Sequence, residues 1–183
     1  QGLSLNDVTF ACTLKACCNI GDMLRGQEIH AEIARKGVLN SSDFVDNALI
    51  DLYAKCSSFA KAKEVFEELP VRNLVSWNIL IAGYAERGEL GEVLYILEGM
   101  KGEGIKPSSV TFISVLNACS HGGLVDKAQR YFKMMSIDYG INPTLLGTSR
   151  SYNMVVNFAK LAFLLAYIFV VVLQEVHQTR TDF

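Results

Sequence analysis

Few side chains in this chain have the types and spacing that chemistry requires. His30-Ala31-Glu32 has the H-x-E half of a zinc-deaminase site. That chemistry also needs a P-C-x-x-C pair to complete the zinc ligands, and the sequence has none. The five cysteines, Cys12, Cys17, Cys18, Cys56 and Cys119, are odd in number and match no zinc spacing. Each falls in an apolar helical pattern, so they are expected to be buried core thiols in a reducing compartment. There is no G-x-S-x-G, no H-E-x-x-H and no phosphate-binding glycine loop, and Glu67-Glu68 has the look of a solvated helix face. The sequence therefore implies neither catalysis nor a cofactor or metal. Two asparagines are more informative. Asn47 and Asn78 each stand two residues before a leucine and three before an isoleucine. An asparagine amide offers a hydrogen-bond donor and an acceptor together.

Such a recurrence needs a repeated element to carry it. Val8-Thr9-Phe10 returns as Val110-Thr111-Phe112, Ala16-Cys17 as Ala118-Cys119, and Gly21 as Gly123, all at an offset of 102. Registering on these positions gives units at 7–42, 43–73, 74–108 and 109–144, with residues 1–6 as the tail of a preceding unit. The lengths are 36, 31, 35 and 36 residues, and the first three sum to the observed offset. Each unit holds two helical stretches. In the third, Trp77, Leu80, Ile81 and Tyr84 keep helical spacing until Gly88, after which Leu94, Leu97 and Met100 resume it, with Pro107 closing the unit. The second repeats the plan with Leu49, Leu52 and Tyr53, then Ala62, Val65, Phe66 and Leu69, closed by Pro70. No stretch alternates long enough for a strand. One amphipathic pair cannot bury its own apolar face, whereas stacked pairs can. The expected fold is all-α, a right-handed α-solenoid of helix–turn–helix repeats with a divergent apolar C-terminal helix.

The bulk composition is consistent with this. Of 183 residues, 50% are hydrophobic and 20% charged, enough to bury a sizeable core, and the formal net charge is −2. That balance lacks the basic signature of a duplex-DNA binder, but leaves open single-strand binding through a local groove and stacking. The opening residues have neither the charged nor the apolar region of a targeting peptide.

The text of the units resembles the plant pentatricopeptide repeat family, in the subclass that mixes long, short and standard units. The matching segments are TLKAC with GQEIHAEI, VDNALIDLYAKC with AKEVFEELPVRN, LVSWNILIAGYAERG, and VTFISVLNACSHGGLVDKAQRYF. The resemblance covers about residues 1–144. It implies a sequence-specific single-stranded RNA-binding adaptor of a mitochondrion or chloroplast, acting in editing, splicing or processing with one base per repeat, with editing or processing factors as further partners. It further implies that Asn47 with Asn73, and Asn78 with Ser108, specify bases. Asn with Asn then suggests a pyrimidine, and Asn with Ser cytosine. The long units pair Ala11 with Ser42 and Ile113 with Thr144, where neither Ala11 nor Ile113 can hydrogen-bond a base. Val8, Phe44, Val75 and Val110 fall at the base-sandwiching position. Lys55 falls at a phosphate-facing position that holds Asn19, Glu86 and His121 in the other units, and Glu86 would repel phosphate. Affinity is expected to be low. Trp77 is assigned to packing between helices.

Other readings stand beside this one. A protein-binding helical scaffold shares the paired-helix plan, but keeps a regular period of about 34 residues. A non-functional truncated product is another alternative. After Pro143 the resemblance fades, and residues 161–173 form an unbroken run of 13 apolar residues. A spanning helix needs about 20. This tail is read as a non-homologous extension, a helix capping the array, or a membrane-inserted segment.

Overall fold

The computed structural model describes residues 7–39 and 42–141. Those residues form eight α-helices and no strand: α1 (Asp7–Ile20), α2 (Met23–Arg35), α3 (Asp43–Lys55), α4 (Phe59–Glu67), α5 (Leu74–Glu86), α6 (Leu90–Gly102), α7 (Ser109–His121) and α8 (Val125–Ile137). The leading residues 1–6, Thr144 and the apolar run 161–173 lie outside the described residues.

The helices come in pairs because each long apolar stretch is broken once by a tight turn. At that break Gly21, Gly88 and Gly123 adopt positive φ of 71°, 72° and 64°. Ser57 takes the same place in the second pair with φ 61°, a conformation that costs any residue with a Cβ. Three of the starts, those of α2, α5 and α7, carry side-chain caps. Asn73 Oδ1 accepts from the backbone N–H of Val75 and Ser76 at 2.9 and 3.0 Å. Ser108 and Thr111 form a reciprocal capping box at the head of α7. Asp22 caps α2 through the N–H of Arg25.

Packing then builds two layers. The odd-numbered helices lie side by side, α1 on α3, α3 on α5 and α5 on α7. Each even helix packs on the odd helix of its own pair, most lightly for α2, and α2, α4 and α6 each also touch the next odd helix. The result is an all-α helical-repeat solenoid, as the repeat pattern implies. Its core includes Leu49, Leu52, Tyr53, Ala62, Val65, Phe66, Trp77, Leu80, Ile81, Leu97 and Met100. Trp77 is 5% exposed and meets Phe66 edge-on at 4.7 Å between ring centroids, which confirms its packing role. Where α5 crosses α3, a Cβ added to Gly83 would lie 2.9 Å from Ala54 Cβ and 3.3 Å from Phe59. Only glycine admits that approach.

One expectation needs correcting. All five thiols are free, and Cys17, Cys18 and Cys119 are buried, but Cys56 is half-buried and Cys12 is exposed. Cys12 is the sixth residue of α1, on the flank toward which a preceding helix would pack, and no described helix precedes α1. At the same place in α7, Ser114 is buried.

Candidate nucleic-acid interface

A residue advances 100° around a helix, so the second, fifth, ninth and thirteenth positions fall within one stripe about 80° wide. Applied to the four odd helices, this gives Val8, Ala11, Lys15 and Asn19 on α1, then Phe44, Asn47, Asp51 and Lys55 on α3. It continues with Val75, Asn78, Ala82 and Glu86 on α5, and Val110, Ile113, Asn117 and His121 on α7. None of these sixteen residues is buried. Because the odd helices lie side by side, the stripes join into one open face crossed by four parallel rows.

The first row is apolar yet faces solvent. Val8 is 64% exposed, Phe44 75%, Val75 54% and Val110 52%. A core helix would turn such residues inward, and their neighbours Val45, Trp77 and Phe112 are buried. The first row therefore forms four apolar steps along the face. The second row holds Ala11, Asn47, Asn78 and Ile113, all half-buried.

The two asparagines differ in what they touch. Asn78 Oδ1 accepts a hydrogen bond from Thr111 Oγ1 at 2.6 Å, and its amide N–H donates to Ser108 Oγ at 3.4 Å. The structure thus brings together Asn78 and Ser108, a pair the sequence singles out. One amide N–H and one acceptor site of Asn78 remain unused. Among the described residues, none is hydrogen-bonded to the Asn47 side chain. Its sequence partner Asn73 donates instead to Asp43 Oδ2 at 3.0 Å, one helical turn before Asn47, while its carbonyl caps α5. Asn73 keeps a single free N–H. Ser42, the counterpart of Ala11, is the N-cap residue of α3, without a side-chain cap bond.

Lys55, read from sequence as a phosphate-facing cation, is already paired. Its ammonium lies 3.0 Å from Asp51 Oδ1, and Lys15 of α1 reaches Oδ2 of the same carboxylate at 2.6 Å. Burial alone would raise the Asp51 pKa, but hydrogen bonds from Lys15 and Lys55 win and hold it below the ordinary aspartate value. Burial likewise works against the Lys55 ammonium, and its bond to Asp51 prevails, raising its pKa. In the equivalent places Glu86 is exposed, and His121 contacts the Ala85 carbonyl through Nδ1 at 3.1 Å.

Sequence reasoning missed Thr111, Lys15 and Asp51. Thr111 was legible as the third residue after a serine cap, and the other two as ninth positions in the frame that selects Asn47. His30 sits on α2 away from this face, half-buried and bonded to Tyr53 Oη at 2.7 Å. Burial, reinforced by Lys61, lowers its pKa. No group of three metal-binding side chains converges among the described residues.

The sequence profile of the PPR repeat family matches residues 72–121, and that of the PPR repeat matches 47–74 and 110–137. Pentatricopeptide repeat-containing protein At4g16470 of Arabidopsis thaliana is 45% identical over 135 residues, covering 74% of this chain and 27% of the relative. An Arabidopsis relative named as mitochondrial, At3g02330, is 40% identical over 145 residues, 79% of this chain and 16% of its own length. A third, At3g57430, named as chloroplastic, is 39% identical over 142 residues, 78% of this chain and 16% of its own. The chain thus spans roughly a sixth to a quarter of these relatives. Among solved structures, the pentatricopeptide repeat protein PPR10 in complex with an 18-nucleotide psaJ RNA element superposes with a TM-score of 0.72 at 25% identity, covering 85% of this chain and 23% of that one. PPR10 from maize gives 0.65 at the same identity, covering 85% and 22%. Taken with the paired helices and the four-row face, these likenesses show that the chain belongs to the PPR repeat family.

Proposed function

We propose that this chain is a segment of a single-stranded RNA-binding adaptor that reads one base per repeat along the open face of the odd-helix layer. The observation that carries the reading is the first row. Four apolar side chains recur at one helical position and all face solvent, Phe44 most of all. Apolar steps of this kind suit unstacked bases, which every nucleotide can offer. Between successive steps lie the polar groups that would read base edges: Asn47 with Asn73, and Asn78 with Ser108. An amide carrying both donor and acceptor matches a pyrimidine edge. Ala11 and Ile113 would contribute shape alone, and Thr144, the partner of Ile113, lies outside the described residues.

The PPR10 complex supports RNA as the class of partner, and the relatives named for mitochondria and chloroplasts support an organellar setting. On this reading the units run 7–42, 43–73, 74–108 and 109–144, in the long, short, standard, long order of the mixed subclass. The chain selects sites for editing, splicing or processing and leaves the chemistry to other factors.

The test is binding of the 183-residue chain to short single-stranded RNAs that vary two adjacent bases. A preference for a pyrimidine followed by cytosine, weakened by Asn78→Ala, is the expected result. Equal affinity for every sequence would remove the base-reading role. Tight peptide binding with no RNA binding would favour a protein scaffold.

A further inference from the structure

Asp51 is the one acidic group among the described residues that takes ion pairs from two lysines, and those lysines come from different repeats. Lys15 belongs to α1 and Lys55 to α3, and both are exposed on the open face. The carboxylate between them is largely shielded, with 16% of its side chain exposed. Two ammonium groups share one carboxylate, so one positive charge stays uncompensated. A lysine carries three donors. Whatever each gives to Asp51, it keeps N–H groups that can turn toward the groove. Without Asp51 the two cations would repel each other, whereas on it they are held on a single anchor. On the rest of the face, the third and fourth rows hold Asn19, Ala82, Glu86, Asn117 and His121, which supply no further lysine or arginine.

We propose that Lys15 and Lys55, anchored on Asp51, form a two-lysine seat for a phosphodiester at the boundary between the first two repeats. This rests on the single-strand reading above and adds Lys15, which that reading does not use. The seat fixes where the nucleotide backbone crosses the face, with Asp51 one helical turn beyond Asn47 on α3. Beyond it Glu86 would push phosphate away, so the strand's electrostatic hold is concentrated at one end of the described array.

The experiment measures affinity of the full 183-residue chain for one single-stranded RNA across a salt series. Each phosphate contact on a single strand contributes about 0.7 to the slope of log affinity against log salt. Lys15→Gln and Lys55→Gln should each flatten the slope by about 0.7, so that affinity lost between ~50 and ~200 mM salt falls about 2.5-fold less than in wild type. Lys15→Arg should restore the slope, and Lys61→Gln, on α4 and paired with Glu64, should leave it unchanged. If Lys15→Gln melts below the wild-type temperature, Lys15→Met, which keeps the apolar stem, gives the same reading. An unchanged slope in the Lys15 variants with wild-type RNA binding intact overturns the seat and spares the RNA reading. Equal flattening by Lys61→Gln reduces the effect to general charge and also overturns it. Absence of RNA binding in the wild type removes both together.

Discussion

Asn47 and Asn78 occupy the same helical position on adjacent repeats, yet one amide is free and the other is held. Asn78 is tied to Thr111 of the next repeat and to Ser108, the last residue of its own repeat and the cap of α7. Asn47 has no such tie, because its sequence partner Asn73 is turned toward Asp43. The backbone frame is common to both, and the chemical freedom of each amide is set by what stands at the start of the next odd-numbered helix. A serine-threonine capping box reaches back to the asparagine before it. An asparagine cap with both heads engaged does not.

That contrast can be broken most heavily by removing the frame itself. Trp77→Ala should cost about 3–5 kcal/mol, the usual range for deleting a buried aromatic, seen as a lower denaturation midpoint. RNA binding at both asparagine positions should fall with it. A loss confined to the Asn78 position would show that the two repeats do not share one scaffold.

Next in size, Asn78→Ala should destabilise the fold by about 1 kcal/mol, because the Thr111 hydroxyl loses its acceptor. Asn47→Ala should stay within about 0.5 kcal/mol, as for a surface site without partners. In an RNA assay both substitutions should weaken binding roughly three- to tenfold, the worth of one or two hydrogen bonds. Thr111→Val should make Asn78 resemble Asn47: in that background Asn78→Ala should add almost nothing to the loss of stability. Additive losses would sever the link between the two residues.

A gain of similar or smaller size is expected in the second repeat. Ser57 holds a left-handed conformation where the other three pairs have glycine. Ser57→Gly should raise stability by up to about 1 kcal/mol, relief of the Cβ clash being partly offset by the greater freedom of glycine in the unfolded chain. No gain in the melting temperature would mean that the turn is not strained.

The smallest effect is a pH dependence. Because the Asp51 pKa is held below its ordinary value, its contribution to stability is present above the unfolded pKa near ~4 and is lost as pH falls through the folded value. The melting temperatures of wild type and Asp51→Asn should therefore converge between about pH 5 and pH 2. A constant gap over that range would show that the carboxylate acts by packing rather than charge.

Much of this architecture was legible in the amino acids. Helical spacing selected the buried faces of α3 to α6, and the return of Val-Thr-Phe after 102 residues pointed to stacked pairs. Contacts between repeats were harder to see. Lys15 meets Asp51 at a separation of 36 residues and Asn78 meets Thr111 at 33. The first equals the length of the first unit and the second falls two short of the third unit's 35, but which offset makes contact depends on the lateral register of α1, α3, α5 and α7. Cys12 misled for a related reason: its composition spoke of core, and its burial depended on a neighbouring helix that the described array does not supply. Phe44 shows the opposite, since its exposure follows from its place beside Val45 on α3 and not from residue type.

Asn73 and Ser108 each do two jobs, closing the pair of residues proposed to name a base and initiating the next helix. Their replacements must also satisfy the orphan N–H groups there, which favours Asn, Asp, Ser and Thr. On the proposed reading, the letters available for recognition are those the fold tolerates as helix starters, so a retargeted array draws on a small alphabet. Engineering a new specificity at these two positions would then be a choice among four spellings, each with its own effect on how firmly the following repeat is seated.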